Sequence, residues 1–109
     1  MITRVVEIKT KPGQAKALCR TLHEQVLSLL QGHRGFIDEV VLIAEHDADM
    51  VIAMSFWKTK SDAESFHEKH FKAIKDAIKH QVHSMAKVKL FAVETSTVHR
   101  IEKGRAAAR

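Results

Sequence analysis

Cysteine is almost absent from this chain, since Cys19 is the only one among 109 residues. A single thiol cannot form an internal disulfide, so the sequence is unlike the disulfide-stabilised domains of secreted proteins. The first ten residues also lack the long apolar segment of a secretory signal. We therefore expect a cytoplasmic protein in which Cys19 is a small hydrophobic residue rather than a nucleophile.

Long hydrophobic runs are missing as well, because no apolar stretch approaches the roughly 20 residues that cross a bilayer. We expect no membrane partner. The net charge is +5 with neutral histidines, and residues 99–109 carry four of the lysines and arginines. The aromatic residues that stack on bases and the groove-reading motifs are absent. We expect residues 99–109 to form a flexible basic tail, and we expect no nucleic-acid partner.

Sequence motifs of the common catalytic sites are lacking too: there is no glycine-rich phosphate loop, no paired-carboxylate motif and no nucleophile–base pair. Eight histidines occur. His67 with His70, and His80 with His83, have the i,i+3 spacing that can share an ion on a helix. Neither pair has a third ligand at a recognisable spacing. We therefore predict no native metal site and no bound cofactor.

The clearest positive feature is the stretch 50–75, which predicts a strand, a capped turn and a helix. Seven of the eight residues 50–57 are apolar, which is typical of a buried strand. Ser61 and Glu64 have the spacing of a capping box at the start of a helix. The apolar stripe of that helix recurs at helical spacing and consists of Ala63, Phe66, His70, Ile74, Ala77 and Ile78.

The remaining patterns complete a βαββαβ order. Residues 2–10 alternate and are rich in β-branched residues, which predicts the first strand, and Pro12 and Gly32 bracket a helix with one apolar stripe. Residues 36–44 predict the second strand, and residues 85–98 predict the fourth. This order is that of the ferredoxin-like α+β fold, a four-stranded antiparallel sheet with two helices on one face.

Two of the predicted strands are apolar on both faces. The opposed sets are Phe36, Val40 and Leu42 against Ile37, Val41 and Ile43 in the second strand, and Ile52, Met54 and Phe56 against Val51, Ala53 and Trp57 in the third. We expect residues 1–98 to form one domain, in which the two helices can cover only one face of the sheet. We therefore predict a homodimer that buries the other face. The alternative is that the fourth strand or the tail folds over it.

Three short segments resemble the antibiotic biosynthesis monooxygenase family. They are Gly35-Phe36 at the opening of the second strand, Phe56-Trp57-Lys58 at the end of the third, and His70-Phe71-Lys72-Ala73 in the second helix. The resemblance covers residues 1–96 and implies a dimeric α+β barrel with a pocket in each subunit between the helices and their sheet. It also implies activities that range from cofactor-independent oxidation of polycyclic phenols to haem degradation, and members without a known role.

The haem-degrading branch of that family departs from this sequence at three places. The branch uses an asparagine on the first strand, but residues 2–10 contain none. It uses a tryptophan in the second helix, whereas Trp57 lies on the third strand. Its axial histidine falls where Lys75 stands here. We therefore expect neither haem binding nor haem degradation.

His70 is the candidate catalytic residue, because the helical stripe points it toward the sheet. A neutral imidazole there can accept a proton from a phenol or polarise a carbonyl; the alternative is a structural histidine bonded to a backbone carbonyl. We predict that Trp57, Phe66, Ile74 and Arg4 line the substrate pocket. For Trp57, simple packing at the strand end is the alternative.

Arg4 is unusual because it shares a strand face with apolar residues. It either holds an anionic substrate or pairs across the dimer with Glu7, Glu39 or Glu94. The leading functional hypothesis is a cofactor-independent monooxygenase, an oxidoreductase that acts on a phenolic or quinone-type small molecule. The alternative is a non-catalytic dimeric module of the same fold that binds a ligand or responds to stress.

Overall fold

The computed structural model describes residues 1–85 and 88–99. Its strands are β1 (Ile2–Thr10), β2 (Phe36–Ile43), β3 (Met50–Trp57), β4 (Val82–Met85) and β5 (Lys89–Ala92). Its helices are α1 (Ala15–Thr21), α2 (Leu27–Gln31) and α3 (Lys60–Ile78), and a π-helical turn, Leu22–Val26, joins α1 to α2. The predicted ferredoxin-like α+β fold is confirmed. None of the helices described is long and apolar enough to cross a bilayer.

The sheet is antiparallel, with the order β2-β3-β1-β4, and β5 also pairs with β1. The prediction of one continuous fourth strand over residues 85–98 was therefore wrong. Two short strands share the edge of β1 instead: β4 pairs along Ile8–Thr10 and β5 along Ile2–Val5. The first of them begins at Val82 because α3 ends at Ile78 and only a 3₁₀ turn follows it.

The apolar stripe predicted for the first helical region is Ala15, Leu18, Cys19, Leu22, Val26, Leu29 and Leu30, and all of it is buried except Cys19 and Leu29, which are half-buried. Leu18, Leu22, Val26 and Leu30 are all buried and are four residues apart. In a regular α-helix each residue turns about 100°, so three such steps would rotate the stripe by about 120°. The wider π-helical turn at Leu22–Val26 removes part of this rotation. It therefore keeps all four side chains directed at the sheet.

The N-terminal cap of α3 lies two residues earlier than the predicted Ser61–Glu64 box. Thr59 is extended, and its hydroxyl accepts a hydrogen bond from the backbone N–H of Asp62 at 3.1 Å. Asp62 is buried, and its carboxylate accepts a hydrogen bond from Arg34 Nε at 3.1 Å. These hydrogen bonds thus hold the start of α3 against the loop before β2.

Gly35 is the residue that makes this approach of loop and helix achievable. Its φ is +84°, and a Cβ at this position would overlap the Asp62 carboxylate. Its carbonyl oxygen also accepts a hydrogen bond from the Lys58 N–H at 2.9 Å. Only glycine satisfies both the left-handed backbone and the close contact. The Gly35-Phe36 motif therefore has a packing role at the entrance to β2.

The two faces of β2 and β3 differ in part from those predicted. In β3 the predicted faces are confirmed: Val51, Ala53 and Trp57 lie on one face of the sheet, and the other face carries Ile52, Met54 and Phe56. In β2, however, a register shift between Phe36 and Asp38 places Phe36 opposite Trp57 and Asp38 opposite Phe56. Phe36 therefore lies on the helix-covered face, and its assignment to the same face as Val40 and Leu42 was wrong.

The face away from the helices is called the outer face here and includes Val40, Leu42, Ile52, Met54, Phe56 and Phe91. Leu42 is 44% exposed and Phe91 is 50% exposed. Part of this face is covered from within the chain, because the His99 ring packs on Phe56 with 4.8 Å between ring centroids. His99 Nε2 also lies 3.6 Å from an Asp38 carboxylate oxygen. Apart from His99, the predicted tail of residues 99–109 lies outside the described residues.

Candidate functional site

The candidate site starts from the alternation of β1. Ile2, Arg4, Val6 and Ile8 share the face toward the helices, and Val6 and Ile8 are part of the buried core. Arg4 is only 7% exposed, although it carries a charge that core positions normally exclude. The strand register places it beside Ser55 of β3. A full positive charge is thus built into the apolar layer between sheet and α3.

The surroundings of Arg4 are aromatic and imidazole groups. One terminal nitrogen lies 3.1 Å from His67 Nδ1. The guanidinium carbon lies 5.3 Å from the Phe71 ring centroid and 5.9 Å from that of Phe66, within the range of cation–π attraction. Within residues 1–85 and 88–99, no carboxylate lies within 4.0 Å of Arg4, and its buried Nε has no hydrogen-bond partner. Burial lowers the pKa of Arg4 to about 10, so the side chain stays cationic at neutral pH.

His67 has its tautomer set by Arg4. Arginine is only a donor, so Nδ1 of His67 must accept, and the proton of the neutral ring is on Nε2. The ring also stacks on Phe71, with 4.3 Å between centroids. Burial and the neighbouring Arg4 charge lower the pKa of His67, whereas Glu68 acts in the opposite sense. His67 is therefore held as a neutral acceptor.

A small cavity lies between the helices and the sheet, with a volume of about 40 Å³. Its wall is mainly apolar and includes Leu22, Val26, Phe66, Phe71, Ile74 and Met85, with Arg4, Glu39 and Ser55 as its polar members. Ligand pockets usually measure 300–1,000 Å³, so this cavity is too small for a bicyclic aromatic molecule. It is the place where a large pocket was expected, and side chains fill most of it.

A larger pocket of about 230 Å³ adjoins it between α3 and β5. Its lining is formed by Arg4, Ala63, Glu64, His67, Glu68, Val88 and Leu90. Of the residues described, Arg4 alone lines both spaces. The polar end of this pocket is therefore formed by the Arg4–His67 pair, and its mouth carries two exposed carboxylates.

Glu39 is a second ionisable group on the helix-facing side of the sheet. It lies opposite Ser55 in the ladder, so Ser55 stands between it and Arg4. Burial, with a smaller contribution from Asp38, raises the pKa of Glu39, while His23 acts against this. A carboxyl group of this kind can exchange a proton closer to neutral pH than an exposed one.

His70 lines neither the cavity nor the pocket. Its half-buried ring lies against Phe66, with 5.1 Å between centroids, and edge-on to His33 at 6.0 Å. Burial lowers the pKa of His70, and Lys69 and His33 lower it further. The ring thus belongs to a cluster at the loop before β2, and its predicted catalytic role stays a prediction.

Trp57 is fully buried and lines neither space. Its Nε1–H donates to the Ser55 hydroxyl at 2.9 Å, and its ring packs against Phe36, Phe66 and His33. This arrangement is that of a core residue. Of the predicted pocket residues, the structure brings Arg4, Phe66 and Ile74 together around one cavity.

His67 and Glu39 were missed as site residues. His67 precedes the predicted stripe residue His70 by three positions and looks like part of a polar helix face. Glu39 could have been found, because it shares the strand parity of the buried-face residue Val41. Among the described residues, no group of three or more histidine, cysteine or acidic side chains is arranged to hold a metal ion.

Comparison with known proteins identifies the family. The model of the antibiotic biosynthesis monooxygenase family matches residues 1–77. No curated protein matches the chain. Similar solved structures include a Streptomyces coelicolor monooxygenase in complex with nanaomycin D, at 12% identity and a TM-score of 0.73, over 87% of this chain and 88% of that one.

Two Nitrosomonas europaea proteins show the same fold at 15% identity and a TM-score of 0.71. One is assigned to the antibiotic biosynthesis monooxygenases, and the match covers 87% of this chain and 100% of that chain. The other is a protein of unknown function, with 88% and 91% covered. At these identities the likeness concerns the fold alone. The family match, which spans most of the sequence, places the chain in the antibiotic biosynthesis monooxygenase family.

Proposed function

We propose that this protein is a cofactor-independent monooxygenase that oxidises a phenolic small molecule to a quinone-type product. The proposal rests on the family match and on one observation: a buried cation and a neutral histidine meet in a pocket whose wall is partly apolar. A structural neighbour of the same fold holds nanaomycin D, which is consistent with a small-molecule ligand here. We infer a cytoplasmic protein from the single thiol.

The chemistry needs few protein groups. A base accepts the phenol proton, and the resulting electron-rich phenolate is oxidised by molecular oxygen. One oxygen atom becomes the new carbonyl, and the second leaves as water together with two hydrogens of the substrate. The protein orients the ring, excludes water and stabilises the developing negative charge. Arg4 is suited to the last of these tasks, because it is a desolvated donor with no counter-charge among the residues that the structure describes.

Two histidines are candidates for the base. His70 is the base predicted from the helical stripe, but its ring faces His33 and Phe66. His67 lines the pocket, is bonded to Arg4 and is held neutral. The geometry therefore favours His67. A phenol that enters the pocket can replace Arg4 at Nδ1, give its proton to that nitrogen and leave its anionic oxygen on the guanidinium.

Turnover of dihydroxynaphthalenes under air tests this assignment, with the reaction followed by oxygen uptake and by the quinone absorbance. We expect His67→Gln to lower kcat by at least about 100-fold, the usual contribution of a general base. His70→Gln is the matched control, one helical turn away, and should stay within about twofold. The reverse pattern would return the base to His70. Rates with the unmodified protein no higher than in buffer would refute the enzyme.

A non-catalytic ligand-binding module is the second candidate, and one observation favours it. The space between helices and sheet measures only about 40 Å³, whereas a buried oxidation site must enclose the ring. On this hypothesis the 230 Å³ pocket binds a ligand without oxidising it. Saturable binding with no oxygen uptake would select this function.

We also propose that two copies pair through the outer face. Val40, Leu42 and Phe91 are exposed there, and Ile52 and Met54 are only half-buried. Such a contiguous apolar surface is typical of an interface. His99 packs on Phe56, so the chain's own C-terminal segment covers part of this face, while Val40, Leu42 and Phe91 stay exposed.

A further inference from the structure

The charge on Arg4 has no negative partner in the part of the chain that the structure describes. Arg4 is only 7% exposed. Its Nε has no acceptor, and one terminal nitrogen donates to the neutral imidazole of His67. A histidine acceptor fixes the direction of the guanidinium but leaves its charge in place, whereas a carboxylate would cancel it. Buried charges are normally paired. The missing anion is therefore expected from outside the described residues.

The adjoining pocket provides the room for such an anion. It holds about 230 Å³ and is lined by Arg4 and His67 at one end. Ala63, Val88 and Leu90 supply an apolar wall between α3 and β5, and Glu64 and Glu68 are the remaining lining residues. Both glutamates are exposed, and neither lies within 4.0 Å of an Arg4 nitrogen, so they leave the desolvated Arg4 charge unpaired.

We propose that Arg4 and His67 form the binding site of an organic monoanion, whose carboxylate or ionised hydroxyl oxygen lies on the Arg4 guanidinium. A flat apolar body fits between Ala63 and the side chains of Val88 and Leu90. Because Glu64 and Glu68 stand at the mouth, a second negative charge on the outer end of the ligand is repelled. This site is a matter of binding and does not depend on the oxidation proposed above.

A second copy of the chain is a poor source of the anion. Arg4 points to the helix-covered side of the sheet, where it contacts Phe66 and Phe71 of α3. The outer face, through which two copies would pair, is on the opposite side. Three glutamates were weighed for such pairing. Glu7 is exposed on the outer face, Glu39 lies beyond Ser55 on the helix-facing side, and Glu94 is exposed in the segment after β5.

Calorimetric titration of the full chain with three matched naphthalenes tests the site. 2-Naphthoate carries one acid group, 2-naphthalenemethanol is its neutral analogue, and naphthalene-2,6-dicarboxylate adds a charge at the far end. We expect 2-naphthoate to bind at least tenfold more tightly than the alcohol or the dicarboxylate. 2-Hydroxy-1,4-naphthoquinone, which is ionised at neutral pH, distinguishes an ionised hydroxyl from a carboxylate as the preferred group.

The variants assign the effect to residues. Arg4→Met keeps length and removes the charge, and it should abolish the preference for 2-naphthoate over the alcohol. Lys75→Met is the matched control, because Lys75 Nζ lies 5.5 Å from the same Phe71 ring but on an exposed position. It should retain the preference. The Glu64→Gln, Glu68→Gln double variant should bind the dicarboxylate more tightly than the unmodified protein does.

Several results would overturn the proposal. They are equal binding of naphthoate and alcohol by the unmodified protein, no binding of either, or equal losses in Arg4→Met and Lys75→Met. If Arg4→Met does not fold, the comparison of the three naphthalenes on the unmodified protein still decides. Tight binding of 2-naphthoate together with no oxygen uptake would support this site and refute the monooxygenase, so the two failures are distinguishable.

Discussion

Arg4 shows how a single residue on an otherwise apolar strand face can define a site. Its neighbours along β1 are core residues, and its register partner is the buried Ser55. Desolvation of this charge costs free energy, which the His67 hydrogen bond and the Phe66 and Phe71 rings return only in part. The buried Arg4 charge therefore lowers the stability of the unliganded protein, and the same charge would bind the ligand.

We predict that Arg4→Met raises the free energy of unfolding by about 1 kcal/mol or more, because methionine buries the same space without a charge. Urea unfolding at pH 7 measures the change. Lys75→Met is again the control and should have a small effect, since exposed charges contribute little. A less stable Arg4→Met protein would mean that the Arg4 charge is already compensated in the folded chain.

The pH dependence of stability should identify His67. Burial and Arg4 lower its pKa in the folded state, and Glu68 opposes them; Glu64 is the other ionisable group in the same pocket. The folded state therefore resists the proton that the unfolded chain accepts near pH 6.5. The resulting stabilisation is complete above that pH and is lost as pH falls from 6.5 through the lowered pKa.

We thus expect the free energy of unfolding to decline below pH 6.5 more steeply in the unmodified protein than in His67→Gln. Urea titrations between pH 5 and 8 give both curves. His46→Gln, a substitution in the exposed loop between β2 and β3, is the control and should follow the unmodified protein. Parallel curves for His67→Gln and the unmodified protein would contradict the lowered pKa.

At the scale of elements, the junction between the loop before β2 and the start of α3 positions the site. Thr59 caps α3, Asp62 receives Arg34, and Gly35 leaves room for the Asp62 carboxylate. The pocket residues Ala63 and His67 follow within the first two turns of α3. Displacement of this junction should therefore disturb both the stability and the pocket.

Substitution of two glycines separates the close contact from the backbone conformation. Gly35→Ala combines a left-handed φ with overlap on Asp62, and we expect it to cost about 3 kcal/mol or more. Gly13→Ala has a similar φ of +74° but open space around its Cβ, and it should cost about 1 kcal/mol. Urea unfolding of both proteins makes the comparison. Equal losses would show that the Asp62 contact is relieved by movement of its side chain.

For the whole molecule, the main question is the apolar outer face. Leu42→Lys would place a charge on the outer face, within the proposed interface, and we expect it to shift the protein from dimer to monomer. Ile43→Lys is a matched control: Ile43 is 40% exposed but points to the other side of β2. Light scattering with size-exclusion chromatography gives the mass. An unmodified protein that runs as a 12.3 kDa particle at high concentration would refute the dimer.

Much of the fold could be predicted from local patterns. The strand–helix order, the stripe Leu18-Leu22-Val26-Leu30 and the two faces of β3 follow from periodicities of two and about four residues, which single segments express without their partners. The cap of α3 was misplaced by two residues, because Thr59 and Ser61 both have a suitable acidic residue three positions later. They are distinguished in the folded chain by the extended Thr59, whose hydroxyl accepts from the Asp62 N–H, and by the contact of Asp62 with Arg34.

The site was only half visible in the sequence, for a physical reason. Arg4 stood out because a charge on an apolar strand face is a local anomaly. The family of the chain was indicated by short motifs near Gly35, Trp57 and Phe71. Three features depend on side chains that are distant in sequence. They are the histidine that contacts Arg4, the space that remains beneath α3, and the position at which the edge strand is interrupted. Such contacts are determined by close packing of the assembled elements. His67 could therefore be identified as a site residue only from the packing of α3 on β1.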